Sequence, residues 1–132
     1  MSAPSPRAAE RIFKTAWFAK AARKAGIKDV ELCRAIKQVI DGKCDDLGGG
    51  VFKKRVSNNL YRSIILAKGG RHWVYEYVFA KKDRANIDDA ELQGFRKLAK
   101  GYEKLTTPQL AQLLKDNDLT EICHGDQAEV SE

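Results

Sequence analysis

The chain has 132 residues, 43% of them hydrophobic, enough to bury one core of ordinary size, so a single domain is expected. Lysine and arginine number 24 against 18 acidic residues, a formal +6 that favours a polyanionic partner. No stretch approaches the roughly 18 apolar residues of a membrane span, and residues 1–10 lack the apolar run of a signal peptide, so a cytoplasmic protein is expected. Cys33, Cys44 and Cys123 are odd in number and widely spaced, which indicates neither a disulfide framework nor a zinc site.

Residues 1–10 read as a loose leader and residues 11–14 as the start of a short strand. Thr15 is placed to cap a helix running to Ala25, with Phe18, Ala21, Ala22 and Ala25 on one face and Gly26 as its stop. Asp29 is placed to cap a second helix, in which Leu32, Cys33, Ile36, Val39 and Ile40 keep the helical period as far as Gly42. Cys33 is expected there as a small core residue. The short connection predicts an antiparallel helical hairpin.

Gly48, Gly49 and Gly50, followed closely by Lys53, Lys54 and Arg55, raise the question of a phosphate-binding loop. Such a loop needs a strand, then glycines, then a lysine and Ser or Thr opening a helix. Here the glycines precede a β-branched, aromatic and basic run, which predicts a hinge leading into a strand. Strands are predicted over residues 51–56, 60–67 and 72–79, separated by Ser57-Asn58-Asn59 and Lys68-Gly69-Gly70-Arg71, and the short turns imply an antiparallel meander. Asp88 and Glu91 resemble a capping box for a helix that turns Leu92, Phe95, Leu98, Ala99, Tyr102 and Leu105 inward. Thr107-Pro108 opens a last helix with Leu110, Leu113 and Leu114, and from Glu121 the chain reads as an acidic, frayed end. The predicted class is α+β, with one domain over residues 11–123 and a tail over 124–132. Helices cover one sheet face and leave the other to the basic strands.

Charge is concentrated on those strands. Residues 51–84 hold nine basic side chains against Glu76 and Asp83, a net +7 that leaves −1 for the rest of the chain. Alternation puts Lys53 and Arg55 on one side of their strand and Phe52, Lys54 and Val56 on the other. Side chains two apart stand about 6 to 7 Å from each other, comparable with successive phosphates of a nucleic-acid strand. Arg62 shares the register of Leu60 and Ile64, so it is either salt-bridged or aimed into a concave site, and Lys81, Lys82 and Arg84 leave the end of the third strand. Trp73, Tyr75, Tyr77 and Phe79 are expected together on one side of that strand as sheet core, with Tyr61 the better candidate for an exposed ring against an unpaired base.

Such a surface could cut RNA as well as hold it. Attack by a 2′-hydroxyl requires removal of its proton, stabilisation of an anionic phosphorane and protonation of the leaving oxygen, and none of these needs a metal or another cofactor. Lysines in a cluster lower one another's pKa, and arginines hold phosphoryl oxygens. His72 and His124 are far apart in sequence and give no histidine pair, while Asp45-Asp46 and Asp88-Asp89 are accounted for by turns and helix starts.

The segments DDLGGGVFKKRV, LYRSIIL, VFAKKDRANID and LTEIC, in that order, resemble one branch of the RelE/ParE superfamily, the toxins of bacterial type II toxin-antitoxin modules. The resemblance spans residues 11 to 123. It implies a small curved, mainly antiparallel four-stranded sheet with an N-terminal helical hairpin and C-terminal helices. For RelE-like members it implies a metal-free endoribonuclease, an mRNA interferase that inhibits translation by cutting mRNA on the ribosome. Its partners are that mRNA and a cognate antitoxin that covers the cationic cleft in a hetero-oligomer. By motif, Lys53 and Arg55 resemble the basic residues used for acid-base work and phosphate contact, and Arg62 the phosphate-binding arginine. Lys82 and Arg84 resemble the basic pair after the last strand. Lys53, Arg55, Arg62 and Lys82 are thus the catalytic candidates, and Lys54, Tyr61, Lys81 and Arg84 the RNA-binding ones. The sequence departs from the pattern at Asp88, where well-studied RelE proteins carry a tyrosine, and at Ser57-Asn58-Asn59, where many members have a glycine-rich loop. ParE-like members inhibit DNA gyrase instead, so the fold alone does not fix the chemistry, and a non-catalytic gyrase inhibitor or a nontoxic nucleic-acid-binding relative are the alternative readings.

Overall fold

Turn chemistry and hydrophobic period resolve, in a computed structural model describing residues 10–68 and 72–123, into ten elements. They are β1 (Arg11–Thr15), α1 (Ala16–Ala25), α2 (Asp29–Ile40), β2 (Asp45–Gly48), β3 (Val51–Val56), β4 (Tyr61–Lys68), β5 (His72–Ala80), α3 (Asp89–Glu103), α4 (Thr107–Lys115) and β6 (Leu119–Ile122). The expected leader, apart from Glu10, and residues 124–132, His124 included, lie outside the described residues, whereas Glu121 and Ile122, expected in a frayed end, are held in β6 by pairing with β1. No helix is long and apolar enough to cross a membrane among the described residues.

Local chemistry sets the helix ends. The Thr15 hydroxyl accepts from the Phe18 N–H at 3.0 Å, and Gly26 closes α1 with φ 76°. Asp88 and Glu91 form the predicted capping box, and Thr106 with Gln109 forms a second one ahead of Pro108. Asp29 is not the cap of α2. That position belongs to Lys28, and the Asp29 carboxylate in the first turn instead accepts from Lys14 Nζ at 2.7 Å.

The sheet has six strands in the order β2-β3-β4-β5-β1-β6, where four were expected. The expected meander is β3, β4 and β5. To it are added β2, antiparallel to β3, then β1, parallel to β5, and β6, antiparallel to β1. Both additional strands have four residues, DDLG and LTEI, too short and polar to show a period of their own. Backbone pairing with neighbours rich in β-formers holds them.

Helices cover both faces, so the expected bare face is absent. Val56, Ile65, Trp73, Tyr75 and Ile122 join Phe18, Ala22, Leu32, Ile36 and Val39 in one core beneath α1 and α2. Their alternates Val51, Ile64 and Leu66 face α3 through Ala99, and Phe13 and Val74 face α4 through Leu110. Within the expected hairpin, α1 lies against β5 and α2 against β3, each helix being held by the sheet. Leu98, expected inward, is 44% exposed.

Two features redistribute side chains. Ile64 pairs with Tyr77 but Ile65 with Tyr75, so Glu76 is the extra residue of a β-bulge. The bulge breaks the expected aromatic row: Trp73 and Tyr75 point to the α1–α2 core, Tyr77 and Phe79 to the α3 side. In addition, Cys33 is buried as expected but is bonded to Cys123, with Cα atoms 5.3 Å apart across a sequence separation of 90. The pairing arises because β6 returns the chain to the edge of β1, beside the inner face of α2, which spacing along the sequence does not reveal. Cys44 is free, and burial pushes its thiol pKa up.

Candidate nucleic-acid interface

The glycine run is a hairpin corner and its anion-binding appearance is misleading. Gly48, Gly49 and Gly50 have φ of 85°, 66° and 83°, turning β2 into β3. Arg96 from α3 closes over this corner, donating to the carbonyls of Leu47 at 2.6 Å and Gly48 at 3.3 Å. A Cβ on Gly49 would lie 2.7 Å from Arg96 Cγ, so the glycine makes room for a protein side chain.

The cations meet on the neighbouring strands. Arg55 and Arg62 are direct cross-strand partners, and Arg62 pairs in turn with Phe79 of β5. Lys53 lies two residues from Arg55 on the same side of β3, the side of Val51 and the α3 core. One arginine row therefore runs across the sheet beyond Ile64, the last side chain of β4 that the α3 core buries on this side.

Compensation of these charges is incomplete. Arg62 Nη1 donates to the carbonyls of Asn59 at 3.0 Å and Tyr61 at 3.3 Å, which fixes the guanidinium without neutralising it. Neither Arg55 nor Arg62 has a carboxylate within ion-pair distance among the described residues. Lys53 Nζ stands 3.7 Å from Asp45 Oδ2, a long contact to a side chain that is 65% exposed. The Asn59 carbonyl belongs to a turn in which Ser57, Asn58 and Asn59 all have positive φ, of 55°, 54° and 69°. The Ser57 N–H in that turn is held by the Glu31 carboxylate of α2.

The other candidates separate. Lys54 points to the α1–α2 side with Phe52 and Val56, donating to the Lys43 carbonyl at 3.1 Å. Lys81 and Lys82 are exposed in the turn after β5. Arg84 is committed to the Glu91 carboxylate, with one contact of 3.0 Å, and its Cζ lies 5.5 Å above the Phe79 ring. The pair holds the Glu91 carboxyl below its ordinary pKa and raises that of Arg84. Asp88 accepts from the Glu91 N–H at 2.8 Å and serves as a helix cap. His72 packs against Phe13, 5.9 Å between ring centres, away from the arginine row.

Tyr61 faces away from Arg62 and lines a cleft of about 500 Å3 along the outer edge of β5, together with Lys82 and Arg84. Two residues that the sequence reading passed over also line it, Trp17 and Lys24 of α1. A signal existed for Trp17: it lies off the Phe18–Ala22 stripe that buries the helix, and it is 53% exposed. The whole surface, from Arg55 through Arg62 and Phe79 to Lys82, offers guanidinium and ammonium donors to a chain of phosphates.

The model of the family described as the RelE toxin of the RelE / RelB toxin-antitoxin system matches residues 10–122. Comparison with curated proteins and with solved structures gives no match.

Proposed function

Since the chain belongs to the RelE toxin family, we propose that it acts as a metal-independent endoribonuclease that cuts mRNA on the ribosome and so inhibits translation. Its site of action is then the cytoplasm, and its antitoxin is a protein that covers the arginine row. The observation that carries this reading is the Arg55–Arg62 pair. Like charges directly opposite on neighbouring strands destabilise the free protein, and no carboxylate offsets them among the described residues. A bound polyanion offsets them.

The chemistry follows from what each group can donate. Arg62, fixed on its turn carbonyls through Nη1, keeps other N–H groups for two phosphoryl oxygens as negative charge grows on the phosphorane. Lys82 adds charge from the β5 turn. Lys53 or Arg55 assists proton transfer or neutralises charge as the 2′-oxygen bonds to phosphorus and the 5′-oxygen leaves with a proton. Tyr61, Lys81 and Arg84 remain RNA contacts in this reading, Arg84 by exchanging Glu91 for phosphate, whereas Lys54, on the opposite side of β3, is not one.

Primer extension on cellular mRNA after induction tests it. New 5′ ends within translated regions are expected, and they should vanish with Arg62→Ala. Intact transcripts during growth arrest would refute cleavage, and DNA damage with intact mRNA would identify a gyrase inhibitor. Normal growth without antitoxin would identify a nontoxic nucleic-acid-binding relative.

A further inference from the structure

We propose that the cleft between α1 and the outer edge of β5 is a stacking subsite for an unpaired nucleobase, with Trp17 as its platform. The proposal rests on the RNA reading above and adds to it a site for the base beside the phosphate held at Arg62.

Trp17 is the free end of an aromatic ladder. One face of its indole stacks on Tyr77 at 5.0 Å with planes 28° apart, and Tyr77 lies 5.9 Å from both Phe79 and Phe95. The ladder holds the indole in place, yet Trp17 stays 53% exposed. An exposed aromatic by itself needs no explanation. Here it borders a cleft of about 500 Å3 that also takes in Tyr61, Lys24 and Lys82. Rings interleaved with cations suit a base and its phosphate, since every base has a π-face and stacking tolerates any sequence.

Backbone chemistry completes the cleft. β1 pairs with β5 only as far as Tyr75, because the chain leaves β1 at Thr15 to enter α1. Beyond Tyr75 the outer edge of β5 has no strand partner among the described residues. The cleft and Arg62 are also neighbours. Phe79 is the cross-strand partner of Arg62 and lines the cleft, so the two sites adjoin across one pair of strands. An open strand edge could equally accept a peptide strand. The cations on its rim, with Asp83 the one acid among the lining residues, favour a phosphate-bearing ligand.

Binding of two short 2′-O-methylated RNAs, identical except that one lacks bases at its central positions, tests the proposal by fluorescence anisotropy. Trp17→Ala should weaken the base-containing RNA roughly 5- to 100-fold, Trp17→Phe should keep most of the affinity, and the abasic RNA should bind both variants like the parent. Trp17 lies on an exposed helix face, and an unchanged unfolding temperature will show that each variant is folded. Equal binding of base-containing RNA by Trp17→Ala, with binding still lost in Arg62→Ala, overturns the subsite and leaves the phosphate reading standing. If neither RNA binds the parent in a salt-dependent way, the phosphate reading falls as well. If Trp17→Ala spares RNA but releases the antitoxin, the cleft is a peptide dock and the proposal is wrong.

Discussion

Replacing Arg62 by alanine should change the salt dependence of RNA binding by a definite amount. The four catalytic candidates have no close acidic partner among the described residues: Lys53, with only a 3.7 Å contact to exposed Asp45, together with Arg55, Arg62 and Lys82. If these four alone each displace one counterion from single-stranded RNA, log K falls with log salt at a slope of about −0.7 per contact, or about −2.8 from the four. A fourfold rise in salt should then weaken binding roughly 50-fold. Arg62→Ala should lower the slope to about −2.1. Lys54→Ala should leave it unchanged, because Lys54 points to the opposite side of β3 and donates to the Lys43 carbonyl. Fluorescence anisotropy of a labelled, uncleavable RNA across a salt series measures both slopes. A flat dependence in the parent, or an equal loss from Lys54→Ala, would show that the arginine row is not the phosphate track.

Arg55→Glu turns the cross-strand arginine pair into an ion pair, so it should stabilise the free protein by about a few tenths of a kcal/mol in urea unfolding while weakening RNA binding. Reduction of the Cys33–Cys123 bond, which closes a separation of 90 residues, should cost about 4 to 5 kcal/mol by chain entropy. The unfolding temperature should then fall by roughly 15 °C or more, in reductant or in Cys123→Ser, and an unmoved transition would mean that the thiols are unpaired. Burial raises the Glu76 carboxyl pKa, with the Tyr102 hydroxyl at 3.1 Å opposing the rise, so the folded state holds this proton more tightly than the unfolded chain does. Its contribution to stability is therefore present below the unfolded value near about 4.3 and is lost as pH rises through the raised folded value. Glu76→Gln should flatten that loss in urea midpoints taken from acidic to neutral pH.

Most of the helical layer was legible because capping is local chemistry: Thr15, Gly26 and the Asp88–Glu91 box act within a single turn. β3, β4 and β5 showed in their period and turn residues, and Lys53, Arg55 and Arg62 were assigned to strands and sides from the same alternation. The rest depends on contacts between distant segments. β2 and β6 exist by pairing with β3 and β1, and the partner of Cys33 is fixed by where β6 returns. Arg96, a helix residue with no motif, seals the glycine corner that looked like a phosphate cradle. Trp17 was overlooked because its importance comes from Tyr77, sixty residues away and turned toward it by an irregularity in β5.

That irregularity makes the site sensitive to strand register as well as to composition. Beyond Glu76, Tyr77 and Phe79 owe their orientation to one inserted position, and no site residue records it. Pairing β5 with β4 residue for residue from Ile65–Tyr75 onward, with Glu76 kept but the bulge lost, would rotate the far end of β5 by half a pleat. Phe79 would swing away from Arg62, and Val78 would take its place, with every arginine and lysine still present in the sequence. Two homologues with identical charged motifs could thus differ in substrate path through the presence or absence of this bulge alone, and an alignment that ignores it would match residues from opposite sides of the sheet.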